Sequence, residues 1–286
     1  MSLVFKAWSK TLYLDFDKYE EGHCVYNNKY LIKDSYKPAG PQKHGEYSLS
    51  IESSMIRNEN DLRKEAAAIR NIAHCITLLS KCVLGGALNT PERSMNSFTR
   101  TFILPSDMPK GWQCNYKDVE KSVTRKGVHL IVDSVTDIQY YALERSPFND
   151  YITALKNYGK LPKSIKDLLT IINDVDLVSY SARYMLIGKA LEIVDALYPL
   201  NNGKDRRIEQ FFPELIDIFN GTTIKDLMNL ANNRQESRHY VKKKASLTPH
   251  DAMTNYELKK YYDLSNNLCL YIIRRELGLE PVEITD

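Results

Sequence analysis

Leu177-Val-Ser-Tyr180-Ser-Ala-Arg-Tyr184-Met-Leu-Ile187-Gly-Lys-Ala-Leu191-Glu-Ile-Val194-Asp-Ala-Leu-Tyr198 carries an apolar or aromatic side chain at 177, 180, 184, 187, 191, 194 and 198. Alternating steps of three and four keep these side chains on one side of a helix, as a single buried stripe. Pro199 and Asn201-Asn202-Gly203 supply the stop. Working downstream, Phe211, Phe212, Leu215, Ile218 and Phe219 predict a second helix from about Asp205 to Phe219, with Gly221 after it. Thr223, with Asp226 three residues on, predicts a capping box for a third helix, whose inner face is Ile224, Leu227, Met228 and Ala231. Thr248-Pro249-His250-Asp251 is a start signal for the last helix: an N-cap, a proline at the first position and an acid in the first turn. Leu258, Tyr261, Tyr262, Leu268, Cys269 and Ile272 carry that helix to Gly278 and Pro281. Four or five helices with short connections make an antiparallel bundle.

Upstream of Pro147 the texture changes. Leu12, Leu14 and Phe16, and again Tyr47, Leu49 and Ile51, alternate with polar neighbours at the period of a half-buried strand. Asn27-Asn28, a pair that tolerates positive φ, is placed to close a hairpin. Ala66, Ile69, Ala73, Ile76 and Leu79 predict a helix between Asn60 and Val83, stopped by Gly85-Gly86. Phe98 to Leu104 reads as a strand ended by Pro105, and Val128 to Leu143 is open between strand and helix. The expected fold class is α+β overall: a mixed α/β domain over residues 1–147, then an all-α antiparallel bundle over 148–286.

At 286 residues, 43% hydrophobic and 26% charged, the chain has the composition of a globular protein with a sizeable core. Basic and acidic residues nearly balance, 20 against 18 up to residue 150 and 19 against 18 beyond it, so neither half is a basic nucleic-acid-binding arm. The five cysteines are scattered with no C-x-x-C pair, which predicts reduced thiols packed as small hydrophobes. No metal or cofactor fingerprint stands out, and no cofactor is expected; Gly85-Gly86 follows a predicted helix, the wrong order for a phosphate-cradling loop. Met1 to Lys10 lacks the apolar core of a secretory signal, and no uncharged stretch approaches the ~20 apolar residues that span a bilayer. A cytoplasmic location without a membrane partner is the expectation.

Asn232-Asn233-Arg234-Gln235-Glu236-Ser237-Arg238-His239 is the stretch that points to chemistry. The register of Ile224, Leu227 and Ala231 continues to 234 and 238, and both are arginine. A guanidinium in register with a buried stripe is costly unless it meets an anion or opens into a cleft. His239 follows near the predicted helix end, where the C-terminal dipole favours an imidazolium suited to proton transfer. With Lys242, Lys243 and Lys244, residues 234–244 carry five positive charges against one negative, which draws a polyanion.

Arg234-Gln-Glu-Ser-Arg-His239 resembles the R-x4-6-H signature of the HEPN superfamily, in its R-x4-H form. Tyr184 to Glu192, ending in Ala-Leu-Glu, is similar to the first long helix of such domains. The resemblance covers roughly residues 150–280, and the order of an unassigned domain before the bundle is most similar to ApeA-type proteins. It implies a HEPN-like bundle and metal-independent endoribonuclease activity leaving a 2′,3′-cyclic phosphate, commonly in phage defence or as a toxin. Arg234 and His239 would be catalytic, and Gln235, Arg238, Lys242, Lys243 and Glu192 would contact substrate. RNA or a nucleotide is the implied partner, and a homodimer through the helical domain the implied assembly. The family usually places Asn, Asp or His directly after the arginine, where this chain has Gln235. Two other readings stand beside this one: a non-catalytic HEPN module holding a nucleotide or RNA, and a helical interaction scaffold.

Overall fold

Leu3, Phe5 and Ala7 are buried while their neighbours Val4 and Lys6 are half-buried, and this period of two makes the first strand, β1 (Leu3–Ser9). In the computed structural model the described residues are 1–9, 12–14, 16–38, 45–84, 99–104, 107–109, 112, 120–124, 127–133, 141–143, 145–175, 178, 180–198, 207–228 and 256–281. The chain divides into two compact units, Met1–Ser80 with Ser94–Leu155, and Lys81–Arg93 with Lys156–Asp286. Strands and helices both occur, and the chain is α+β.

In the first unit β1 is followed by β2 (Leu12–Leu14), β3 (His23–Tyr26), β4 (Tyr30–Lys37), β5 (Glu46–Ser53), α1 (Glu59–Leu84), β6 (Thr99–Ile103), β7 (Glu120–Thr124), β8 (Gly127–Asp133), β9 (Tyr141–Leu143) and α2 (Phe148–Tyr158). Seven of the described strands form an antiparallel sheet in the order β3-β4-β5-β1-β6-β8-β7, and β2 pairs with β9 in parallel. Asn27 and Asn28, at φ 51° and 54°, close the β3–β4 hairpin, with the Lys29 N–H donating to Tyr26 O at 3.2 Å. The alternation read through Phe16 stops early: β2 ends at Leu14, and Phe16–Lys18 is a short 3-10 turn. Within Val128 to Leu143 the described residues are strand, in β8 and β9, and 134–140 lie outside the described residues.

Two rows of side chains across the sheet set its inner face. Phe5 stands opposite Ile51, which stands opposite Ile32, and Ala7 stands opposite Leu49, which stands opposite Asp34. Against Phe5, Ala7, Leu49 and Ile51 pack Ala73, Ile76, Thr77 and Ser80 of α1. Ala66, Ile69, Ala73, Ile76 and Leu79 are all buried, as their spacing predicts. By length and composition α1 is the one described helix that would reach across a membrane. Each buried Ile or Leu of this face contributes about 1.5–3 kcal/mol by leaving water. Glu65, 6% exposed, ties the helix to the sheet by accepting from Ser53 Oγ at 2.8 Å and from Lys29 Nζ.

The second unit takes the last residues of α1 and α2, then α3 (Lys163–Asp174), α4 (Tyr180–Leu197), α5 (Ile208–Phe211), α6 (Ile216–Phe219), α7 (224–228) and α8 (Tyr256–Glu276). Ile165, Leu168, Leu169 and Ile172 of α3 are buried, and α3, α4 and α8 pack on one another. On α4, Tyr184, Ile187, Leu191 and Val194 form the expected stripe. The single helix expected from Asp205 to Phe219 is broken. Pro213 has no N–H to donate back and its ring crowds the preceding turn, so the chain leaves helical geometry at Phe212 and passes through a 3-10 turn, Pro213–Leu215, before α6. α8 ends as glycine placement predicts: Gly278, at φ 70°, donates to Arg275 O, and Leu279 donates to Arg274 O.

Two buried cations hold helix ends in this unit. Lys81 Nζ donates to Ile172 O at 2.7 Å. Arg274 donates to Cys82 O, to Val83 O at 3.3 Å and to Glu280 O at 2.6 Å. Carbonyls of a helix's last turn lack partners within the helix, and a buried cation is a strong donor to them. Cys82 and Cys269 are both buried, and burial pushes each thiol up to about 12. They are inert packing groups, as their scattered positions predict.

Candidate functional site

The described helix that precedes the basic stretch in sequence, α7, is capped by Thr223. Its N–H and hydroxyl donate to Asp226 Oδ2 at 2.9 and 2.7 Å, and the Asp226 N–H donates back to Thr223 Oγ1 at 3.0 Å. This reciprocal pair is a capping box with Asp at the third position. The start is pinned further by Ile208 N–H donating to Thr222 O at 2.9 Å and by a bridge between Arg207 and Thr223. Of the face read from the sequence, Ile224 and Leu227 are 3% and 4% exposed, Met228 is half-buried and Ala231 lies outside the described residues. Hydrogen bonds from Thr223 hold the Asp226 carboxyl below its usual range. A depressed folded pKa gives stability above the unfolded value and loses it as pH falls through the folded one. Thr223→Ala is therefore expected to destabilise the chain by about 1 kcal/mol at neutral pH. The gap between variant and wild type should close on acidification, as read by urea unfolding across the carboxylate range.

Arg234, Gln235, Arg238, His239, Lys242 and Lys243 lie outside the described residues, as do Lys244 and the start signal at Thr248-Pro249-His250-Asp251. Of the residues singled out for substrate contact, Glu192 is described. It is exposed on α4, between the buried Leu191 and Val194.

The rest of the described second unit is rich in aromatic and charged contacts. Tyr198, Phe211, Phe212 and Tyr271 stack edge-on or tilted at centroid distances of 4.9–6.4 Å. Arg275 stands over the Phe212 ring at 5.4 Å. Tyr271 donates its hydroxyl to Glu214, which holds that carboxyl below its usual range. Burial, with Glu214 beside it, pushes the Tyr271 phenol up to about 12. Among the described residues no three of His, Cys, Asp and Glu gather as a metal-ligand set.

No protein-family model, curated protein or solved structure matches the chain.

The first unit holds a feature that sequence reasoning missed. A cleft of about 410 Å³ runs between Lys18, Glu20 and His23 on one side and Arg145, Asn149 and Asp150 on the other. Beneath it sits Asp34, 3% exposed. Its Oδ1 accepts the Gly22 N–H, and its Oδ2 accepts the Ser146 hydroxyl at 2.5 Å. Tyr19 and Tyr47 lie beside it. Burial pushes the Asp34 carboxyl up, while the hydrogen bonds from Ser146 and Gly22 pull the other way and are outweighed. Burial also pushes up the phenols of Tyr19 and Tyr47. The signal was present in the alternation Tyr30, Ile32, Asp34, which sets a carboxylate at an inward strand position. Gly22 is required where it stands, since a Cβ there would lie 2.2 Å from the Phe148 ring.

Proposed function

We propose that the chain is a metal-independent endoribonuclease of HEPN type, with Arg234 and His239 as its catalytic pair. One observation carries the reading. The spacing of the buried Ile224 and Leu227 carries on in the sequence through Ala231 to positions 234 and 238, both arginine, with His239 and a lysine run directly after. The capping box at Thr223 supports it by fixing where that register begins. In the proposed reaction the RNA's own 2′-hydroxyl attacks the adjacent phosphorus. The bond to the 5′-oxygen of the next nucleotide breaks, and a 2′,3′-cyclic phosphate remains. His239 moves a proton, from the attacking oxygen or to the leaving one. Arg234 lays its fork of donors on the phosphoryl oxygens, where charge builds in the transition state. Arg238, Lys242, Lys243, Gln235 and Glu192 contact the neighbouring nucleotides. HEPN nucleases generally act as dimers, so a composite site from two copies is part of the proposal.

Incubating the pure protein with end-labelled RNA in EDTA tests it. Cyclic-phosphate ends that form in EDTA and vanish in His239→Ala support the reading; intact RNA, or cleavage that EDTA stops, removes it. Light scattering checks the assembly, with a dimer expected and a strict monomer leaving no composite site. Gln235, standing where the family usually has Asn, Asp or His, favours a second reading in which the same residues hold RNA or a nucleotide without cutting it. That reading expects a ligand-dependent rise in melting temperature with intact substrate.

A further inference from the structure

We propose that β3 is a self-association edge, onto which a second copy of this chain adds its own β3, antiparallel and two-fold symmetric about Cys24. The sheet leaves this surface open. β3 (His23–Tyr26) is its terminal strand, and among the described residues β4 alone pairs with it. Val25, in the middle of that edge, is 63% exposed. An open edge is a template for another strand unless charge, proline or a bulge blunts it. The edge strand at the other end of the sheet, β7, carries Glu120 and Lys121, whereas His23-Cys-Val-Tyr26 has no carboxylate, lysine, arginine or proline. The contact lies within the first unit and does not rest on the nuclease reading.

Residue parity along the strand names the occupant. The Asp34 N–H donates to Gly22 O at 2.9 Å, and the register runs on from that pair through His23↔Lys33 and Cys24↔Ile32 to Tyr26↔Tyr30. Hydrogen-bonded pairs alternate along an antiparallel ladder, so Gly22, Cys24 and Tyr26 turn their backbone groups toward β4. His23 and Val25 turn theirs outward. With a second β3 laid antiparallel and Cys24 opposite Cys24, His23 of each copy stands opposite Val25 of the other. Each copy offers an N–H and a C=O on two residues, four groups, and all of them pair across the edge in four hydrogen bonds. Glu20 and Glu21 fall beside the other copy's Asn28 and Asn27, so no like charges meet. The buried row Phe5, Ile51 and Ile32 runs out to the half-buried Cys24, and the two-fold continues it into the same row of the second copy.

Cys24 itself reports on the pairing in the full chain. Residues directly opposed in a non-hydrogen-bonded antiparallel pair have Cα atoms about 4.5 Å apart, within the roughly 4.4–6.8 Å that a disulfide spans. Copper–phenanthroline oxidation of the folded protein should therefore link Cys24 to Cys24 of a second copy, read by mass spectrometry of the linked peptides. Moving the thiol one residue on, with Cys24→Ser and Val25→Cys together, puts it at a more exposed position that this register sets opposite His23. That chain should link at least about tenfold more slowly, although random collision would link it faster. Val25→Pro removes an outward N–H and leaves the β3–β4 ladder whole, so two of the four bonds go and linking at Cys24 should slow about tenfold or more. A dimer formed elsewhere on the chain yields no Cys24 pair, so the result is separate from the fate of the nuclease reading. The proposal is overturned if Cys24 forms no such link, or if the Val25→Cys chain links as fast as wild type. It is equally overturned if Val25→Pro, folded by circular dichroism, links as wild type does; should that variant not fold, the first two comparisons decide.

Discussion

On the proposed reaction, Arg234→Ala should lower the rate of RNA cleavage about 10²- to 10³-fold, the usual loss when one donor to a developing oxyanion is removed. Such a loss corresponds to roughly 3–4 kcal/mol in the barrier. Arg234→Lys separates charge from geometry. A lysine keeps the positive charge but loses the planar fork, so it should recover part of RNA binding and little of the turnover. His239→Ala should be as severe, and its pH profile should lose the limb set by the imidazole. Rates come from single-turnover cleavage of labelled RNA in EDTA, with circular dichroism to show that each variant is folded. A variant that cuts at the wild-type rate removes that residue from the reaction, whichever of the two it is.

The second large effect is on stability. Arg274→Met, which keeps an apolar stem and removes the donors, should cost about 3 kcal/mol or more. The buried carbonyls of Cys82 and Val83, and that of the exposed Glu280, lose a charged donor at once, and Arg274 itself is only 7% exposed. An orphaned buried carbonyl loses its desolvation energy without return. Urea unfolding followed by far-ultraviolet circular dichroism measures the loss. A shift under ~1 kcal/mol would mean that water reaches these carbonyls and that Arg274 is an ordinary packing group.

The parts of this fold that were legible in the sequence are those written in a regular period. The α1 and α4 stripes, the Tyr47-Leu49-Ile51 alternation and the Asn27-Asn28 turn all stand where their spacing puts them. Glycine and capping signals were equally readable at Gly278 and at Thr223 with Asp226. The misreading of residues 205–219 came from weighing five apolar positions above one proline. Periodicity reports which face is buried, whereas Pro213 decides whether the backbone can stay helical while burying it. The antiparallel order of the sheet was out of reach, because strand partners are chosen by contacts between distant segments and leave no local period. The same holds for Asp34, whose donors come from a loop and a turn far along the chain. The Arg234 and His239 reading rests on local register and on the charge of residues 234–244, both visible in sequence alone.

Arg274 also sets an order of events during synthesis. Cys82 and Arg274 are separated by 192 positions, so the ribosome must add nearly two hundred residues before the closing turn of α1 meets its donor. Until then those peptide oxygens are left to water, and the nascent chain carries a helix that is sound at its start and frayed at its finish. A chain released early, short of α8, would keep that frayed end exposed, and it is there that a quality-control protease would find its first cut.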